Sequence, residues 1–125
     1  MENELFQKVF DKIVPLLPDG WKKMVLYAGY MTGSYSMKFY VSDGKSGYTD
    51  CFSMKSVEKA KLIKVFMEIN KIIALDRNIL SEKDQWTVFT LVVDCTGHMK
   101  ADFDYTDISD NDLEYEYRWK EKYLI

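Results

Sequence analysis

The sequence is poor in the residues that most catalytic and metal sites use. Its 125 residues include one histidine, two cysteines, two prolines and six glycines. Zinc sites need three or four nitrogen, sulfur or carboxylate ligands, usually with a short-spaced pair, and Cys95 with His98 is the only short-spaced Cys/His pair. The glycines are dispersed and form no phosphate-cradling motif. We therefore expect a protein that is not an enzyme and has no cofactor.

The histidine and the cysteines have simple structural interpretations. His98 follows a turn-forming Asp-Cys-Thr-Gly segment, which favours an exposed turn residue over a catalytic base. Cys51 falls in a predicted strand, where a free cysteine behaves as a small hydrophobic residue. Nothing in the sequence supports a disulfide between Cys51 and Cys95, and we expect both thiols to be reduced.

Charge and hydropathy exclude further classes of protein. Seventeen basic residues against twenty acidic ones give a net charge of −3, which disfavours direct binding of nucleic acid. The apolar runs are too short to span a membrane, and no basic-then-apolar leader opens the chain. We expect a cytoplasmic protein whose residues 1–125 form a single domain.

Hydrophobic periodicity predicts three helices and five strands. The expected α+β fold has a single antiparallel β-sheet with helices, in the order α-β-β-β-α-β-β-α. Pro15 should stop or bend the first helix, and Ser56 is the predicted N-cap of the second. The predicted helices cover 2–17, 56–78 and the chain from about Asp110, and the predicted strands cover 22–30, 35–41, 48–54, 86–94 and 99–105.

Two patterns near the C-terminus bear on function. The last strand alternates, and we expect its apolar residues to face the core and its charged residues to face solvent. The inward set is Met99, Ala101, Phe103 and Tyr105, and the outward set is Lys100, Asp102 and Asp104. In the final helix Tyr115, Trp119 and Tyr123 recur every four residues, a spacing more typical of core than of interface.

Acidic residues are concentrated in the same region. Residues 101–125 contain eight acidic and three basic residues, a local charge of −5. One interpretation is a solvated helix start, where acids favour the helix dipole. A second is an EF-hand-like loop with Asp110, Asp112, Glu114 and Glu121 at positions 1, 3, 5 and 12, but Tyr115 replaces the required glycine. A third is a binding face for a basic partner.

A hydrolase is the alternative from another functional class. Asp102 and Asp104 share one face of the last strand, and with Asp107 they could ligate the metal of a metal-dependent hydrolase. The sequence offers that site no histidine partner and no identifiable general base.

Segments 103–110 (Phe-Asp-Tyr-Thr-Asp-Ile-Ser-Asp) and 117–124 (Tyr-Arg-Trp-Lys-Glu-Lys-Tyr-Leu) resemble the C-terminal signature of the YezG-like immunity (antitoxin) protein family. Segment 18–21 (Pro-Asp-Gly-Trp) resembles the early Pro-x-x-Trp of that family, and Trp86 its strand entry. Ile108 stands where leucine is usual.

The resemblance implies that residues 1–125 form a single immunity-protein domain. Such a protein binds and neutralises a secreted nuclease toxin while staying in the cytoplasm of the producing cell. Some members of the family partner type VII-secreted nucleases, and similar proteins accompany the toxins of contact-dependent growth inhibition. The expected partner is a cognate nuclease toxin domain, with the free chain a monomer or weak dimer that binds neither nucleic acid nor membrane. The predicted toxin-binding residues are Asp102, Asp104, Tyr105, Asp107, Asp110, Asp112, Glu114, Tyr115 and Glu116.

Overall fold

The secondary structure follows the predicted order. A computed structural model describes residues 2–55 and 57–124. Its helices are α1 (Glu2–Ile13), α2 (Lys59–Asn78) and α3 (Asp112–Tyr123), and its strands are β1 (Lys23–Met31), β2 (Ser34–Ser42), β3 (Tyr48–Asp50), β4 (Val88–Asp94) and β5 (Met99–Asp104). Short 3-10 turns at Val14–Leu16, Cys51–Ser53 and Glu82–Asp84 complete the order. The predicted α+β class is confirmed.

The five strands form one antiparallel sheet in the order β3-β2-β1-β4-β5. β1 lies at the centre, with Lys23 opposite Ser42 of β2 on one side and opposite Asp94 of β4 on the other. After β3, at one edge, α2 carries the chain back across the sheet to β4. The sheet therefore ends in a three-residue strand at one edge and in the six-residue β5 at the other.

The larger core lies between one face of the sheet and helices α1 and α2. Apolar side chains from alternate positions of the strands meet the apolar stripes of both helices, as the 3.6-residue periodicity predicts. The sheet contributes Met24, Leu26, Ala28, Phe39, Leu91 and Val93, and the helices contribute Phe6, Val9, Ile13, Leu62, Phe66, Ile69 and Ile73. At the surface an ion pair of 3.4 Å joins Lys12 of α1 to Glu68 of α2.

A second, smaller core lies on the opposite face of the sheet, under α3. Trp119 is 3% exposed, and its indole N–H donates to Thr90 Oγ1 at 2.8 Å. Its ring meets Tyr27 edge-on, with ring centroids 5.0 Å apart. Val25 and Val88 complete the contact surface. Because both faces of the sheet are covered, β1 reads as an almost continuous apolar run.

Several predicted details of the strands are wrong. The third strand ends at Asp50 instead of residue 54, because the Asp50 carboxylate accepts a bond from the Phe52 amide and caps a 3-10 turn. The last strand ends at Asp104, so Tyr105 does not face the core and is 61% exposed. Asp102 and Asp104 do not face open solvent, since α3 covers their side of the sheet.

The helix boundaries are shorter than predicted. α1 ends at Ile13, and Pro15 lies in the 3-10 turn that follows, as its missing amide proton predicts. α2 has Glu58 at its N-cap position, while the predicted cap, Ser56, lies outside the described residues. None of the helices within 2–55 and 57–124 is long and apolar enough to cross a bilayer.

Candidate functional site

Two carboxylates of β5 hold α3 against the sheet. The Tyr115 hydroxyl donates to Asp104 Oδ2 at 2.5 Å, and the Tyr123 hydroxyl donates to Asp102 Oδ2 at 2.6 Å. Residues two apart on a strand share a face, so both acids point towards the helix. The aromatic spacing of α3 therefore serves the second core, with Trp119 between the two tyrosines that bond to β5.

The first of these bonds shifts the titration of both partners. Burial raises the pKa of Tyr115, and the neighbouring Asp104 carboxylate raises it further. Burial also acts to raise the pKa of Asp104, but the Tyr115 hydroxyl and the Thr106 amide and hydroxyl donate to the carboxylate and bring its pKa below the ordinary value. The carboxylate is thus held in its charged form by three donors.

The acids of α3 differ in their exposure. Glu116 forms an ion pair of 3.7 Å with Lys38 of β2, and its side chain is mostly buried. Glu114 pairs with Arg118 at 2.7 Å across one turn of the helix, where both side chains are exposed. Such an exposed pair contributes only about 0.3–0.5 kcal/mol, so Glu114 stays available to a partner.

The loop between β5 and α3 is fixed by its own side chains. Asp104 Oδ1 accepts bonds from the Thr106 amide at 3.0 Å and hydroxyl at 2.9 Å, and Asp107 Oδ1 accepts from the Ser109 amide at 3.0 Å. Ile108 is 1% exposed and inserts into the second core. The Ser109 hydroxyl also lies 3.3 Å from that of Thr32 in the β1–β2 turn. The loop is therefore anchored at its middle.

This anchored loop and the first turns of α3 present a set of exposed acidic and apolar side chains. Leu113 and Tyr117, four residues apart on the outer side of α3, are 78% and 67% exposed. The sequence prediction did not include them, although both lie opposite the Tyr115–Trp119–Tyr123 stripe on a helical projection. We call this set the loop–helix surface, and it consists of Tyr105, Asp107, Asp110, Leu113, Glu114 and Tyr117.

The nine predicted toxin-binding residues thus fall into two groups. Tyr105, Asp107, Asp110 and Glu114 are exposed, and Asp112 is half-exposed at the start of α3. The other four have partners inside the protein, and they are Asp102, Asp104, Tyr115 and Glu116. Whether any of the nine contacts a toxin stays a prediction.

The metal-binding interpretations find no geometry to support them. α3 begins at Asp112, so Asp112 and Glu114, at positions 3 and 5, already lie on a helix and cannot form the loop that an EF-hand wraps around its ion. Asp102 and Asp104 bind tyrosine hydroxyls, and across residues 2–55 and 57–124 no three acidic, histidine or cysteine side chains are grouped to hold a metal ion.

The histidine lies in a turn, as the sequence predicts, whereas Cys51 lies in the 3-10 turn Cys51–Ser53 and not in the predicted strand. His98 is exposed in the β4–β5 turn, and its amide donates to Asp94 Oδ1 at 3.1 Å. Cys51 is buried in the larger core, Cys95 is exposed, and both are free thiols.

Comparison with known proteins bears on the role of this arrangement. The family model described as immunity protein YezG-like matches residues 2–124. The chain belongs to the YezG-like immunity protein family. It is 27% identical over 123 residues to immunity protein YezG of Bacillus subtilis strain 168, covering 90% of this chain and 78% of that protein. It is 23% identical over 117 residues to immunity protein YezG of Bacillus spizizenii, covering 89% and 73%. Membership of the family supports an immunity role.

Proposed function

We propose that the chain is a non-enzymatic immunity protein that binds a cognate nuclease toxin domain and covers its basic substrate groove with the loop–helix surface. The observation that carries this proposal is that the anchored loop and the first turns of α3 present exposed acids beside three exposed large apolar side chains. The protein would act in the cytoplasm of the producing cell, where an incoming or newly made toxin would otherwise reach nucleic acid.

Charge complementarity supports this choice of surface. Nucleases bind the phosphate backbone with lysine and arginine side chains, so their grooves attract a cluster of carboxylates. Asp107, Asp110 and Glu114 are exposed acids within eight residues of chain. Long-range attraction between such a cluster and a basic groove raises the association rate.

Apolar contacts on the same surface would slow dissociation. Tyr105, Leu113 and Tyr117 are among the most exposed large apolar side chains of the described residues. Tyrosine is enriched among the residues that contribute most to protein interfaces, and differences in affinity between related complexes reside mostly in the dissociation rate. On this surface the exposed acids would therefore speed association, and the exposed apolar side chains would slow dissociation.

The fixed loop conformation adds to affinity because less conformational entropy is lost on binding. Ile108 anchors the loop in the second core. The Asp104 and Asp107 carboxylates accept hydrogen bonds from two backbone amides of the loop. In this proposal Asp102, Asp104, Tyr115 and Glu116 position α3 and the loop, while the exposed members of the predicted set contact the toxin.

The source of the toxin stays open between two bacterial competition systems, contact-dependent growth inhibition and type VII secretion. The same acidic surface would suit a groove that binds DNA or RNA, because both present phosphates. A nuclease assay on each substrate, with the toxin domain encoded beside this chain, distinguishes the two.

The test is a charge reversal with a matched control. Replacing Asp110 and Glu114 together by lysine changes the charge by +4 and keeps both the α3–β5 bonds and the bond from the Ser109 amide to Asp107 that fixes the loop. The control makes the same change at two exposed acids outside this surface, Asp11 of α1 and Asp19 in the turn before β1. Both variants are checked for folding by circular dichroism.

We expect the loop–helix variant to lose protection of cells against the toxin and to lose co-purification with it, while the control variant keeps both. If the two variants protect equally well, the loop–helix surface is not the binding site. Fractionation of the producing cells checks the cytoplasmic location separately, and recovery of the chain outside the cytoplasm contradicts that part of the proposal.

A further inference from the structure

β5 is an edge strand whose outer backbone groups face away from the sheet. The Asp94 amide donates to the His98 carbonyl at 3.1 Å, which fixes the phase of the β4–β5 ladder. Hydrogen-bonded pairs alternate along antiparallel strands, so the N–H and C=O groups of Lys100 and Asp102 point to β4. The N–H and C=O groups of Met99, Ala101 and Phe103 point to the free edge.

The sequence around this edge is complementary to itself when two copies run antiparallel. With Ala101 opposite Ala101 of a second copy, Lys100 faces Asp102 and Met99 faces Phe103. One position further out, His98 faces Asp104. In this register each basic or imidazole side chain meets a carboxylate, and each large apolar side chain meets another.

The phase of the ladder agrees with the same register. Residues that face each other as hydrogen-bonded pairs would be Met99, Ala101 and Phe103, and these are the residues whose backbone groups point outwards. A register shifted by one residue would pair outward-pointing groups with groups already bonded to β4. The backbone phase excludes registers shifted by one residue. The charge pattern then selects this register over a shift of two residues, which would place Lys100 opposite Lys100 or Asp102 opposite Asp102.

The charged side chains of β5 line a groove on the face of the sheet that α3 partly covers. This groove of about 800 Å³ lies between α3 and β5, lined by Lys100, Asp102, Asp104, Arg118, Lys122 and Tyr123. Asp102 bonds to Tyr123 through Oδ2, and none of the described residues bonds to its Oδ1. Edge strands are commonly protected by proline, charge, a bulge or brevity. β5 has six residues and no proline, and in this register its charged residues face opposite charges of the second copy.

We propose that two copies of the chain associate through antiparallel pairing of their β5 strands, centred on Ala101, to form a continuous ten-stranded sheet. Outward amide and carbonyl groups of Met99, Ala101 and Phe103 supply the hydrogen bonds. The Lys100–Asp102 pairs, formed twice by symmetry, set the register.

The first test measures mass against protein concentration by light scattering and sedimentation, without toxin. The mass should rise from 14.8 kDa towards twice that value. Ala101→Pro removes an outward amide without removing a bond to β4, so the monomer should stay folded while the association constant falls at least about tenfold. Lys100→Pro is the matched control, because it removes an amide that bonds to β4 and should destabilise the monomer itself.

A second test does not depend on tolerance of proline. Lys100→Glu and Asp102→Lys should each weaken association, because each places like charges opposite one another. An equimolar mixture of the two variants should restore it, because the carboxylate introduced in one copy then faces the ammonium group introduced in the other. Amide exchange gives a further readout: the Ala101 amide should become protected as concentration rises, whereas the Asp102 amide is protected throughout.

A chain that stays monomeric at every concentration overturns the proposal, whether or not a toxin strand is later found on β5. A dimer whose mass is unaffected by Ala101→Pro and by both charge variants also overturns it, because the two copies would then meet elsewhere. Neither outcome affects the toxin-binding proposal, which is tested at the loop–helix surface.

Discussion

Loss of the Tyr115 hydroxyl should loosen α3 from the sheet. Tyr115→Phe removes one donor to Asp104, at 2.5 Å, and leaves the aromatic ring in place. Hydrogen bonds to charged groups contribute about 1.5–3 kcal/mol. Asp104 is half-buried and keeps its two bonds from Thr106, so the lower end applies and we expect a loss of about 1.5 kcal/mol in the free energy of unfolding.

Urea denaturation measures this loss. With a slope of about 1–3 kcal/mol per molar urea for a small domain, the midpoint should fall by roughly 0.5–1.5 M. Tyr117→Phe is the matched control, because Tyr117 is 67% exposed on the outer side of the same helix, and it should change stability by less than about 0.5 kcal/mol. Combining Tyr115→Phe with Asp104→Asn should give a coupling energy of about 1 kcal/mol.

The effect of Tyr115→Phe on stability should also depend on pH in a defined direction. The folded-state pKa of Asp104 is lowered, so its contribution is present above the ordinary value of 3.8 and is lost as the pH falls through the folded-state value. The difference between parent and Tyr115→Phe should therefore shrink below about pH 4. Equal effects of the Tyr115 and Tyr117 substitutions, or no coupling to Asp104, would refute the idea that β5 carboxylates hold α3.

Three further predictions concern single side chains. A thiol reagent should modify only the exposed Cys95 in the native protein and both cysteines after unfolding, because burial raises the pKa of Cys51 to about 12. Fast modification of two thiols in the native protein would contradict this prediction. The Tyr40 hydroxyl is buried without a hydrogen-bond partner among the described residues. Tyr40→Phe should therefore leave the free energy of unfolding, measured in urea, unchanged or raise it by up to about 1 kcal/mol. A fall in that free energy would show that the hydroxyl has a partner. Burial, with the bond to Asp102, raises the pKa of Tyr123 from 10.0 to about 12. The contribution of Tyr123 to folding stability is therefore complete below pH 10 and is lost between pH 10 and 12. Tyr123→Phe should flatten the fall in thermal stability over that range, and an unchanged slope would count against the bond.

Much of the fold could be predicted from the sequence because local patterns determine it. The 3.6-residue stripes of the helices reflect burial directly, and apolar runs bounded by turn residues mark β1 and β2. The short third strand could not be predicted, since it ends where Asp50 caps a turn with its side chain. Periodicity also does not reveal that a sheet has two covered faces, so Asp102 and Asp104 read as solvent-facing acids.

The candidate site was predictable in location and less so in detail. The acidic composition of residues 101–125 pointed to the loop and α3, and the aromatic spacing correctly favoured core for Trp119. The sequence did not show which acids would be bonded internally, because the Asp104–Tyr115 bond joins a strand to a helix across the second core. Leu113 and Tyr117 were missed because the prediction followed the aromatic stripe of α3 and did not consider the i, i+4 pair on the opposite side of the helix.

The most direct test of the account is a footprint of the complex. Amide hydrogen exchange of this chain is measured alone and with a catalytically inactive form of its cognate toxin domain. The account predicts slower exchange in the β5–α3 loop and the first two turns of α3, residues 105–118. Unchanged exchange there, with new protection confined to α1 and α2, would contradict it.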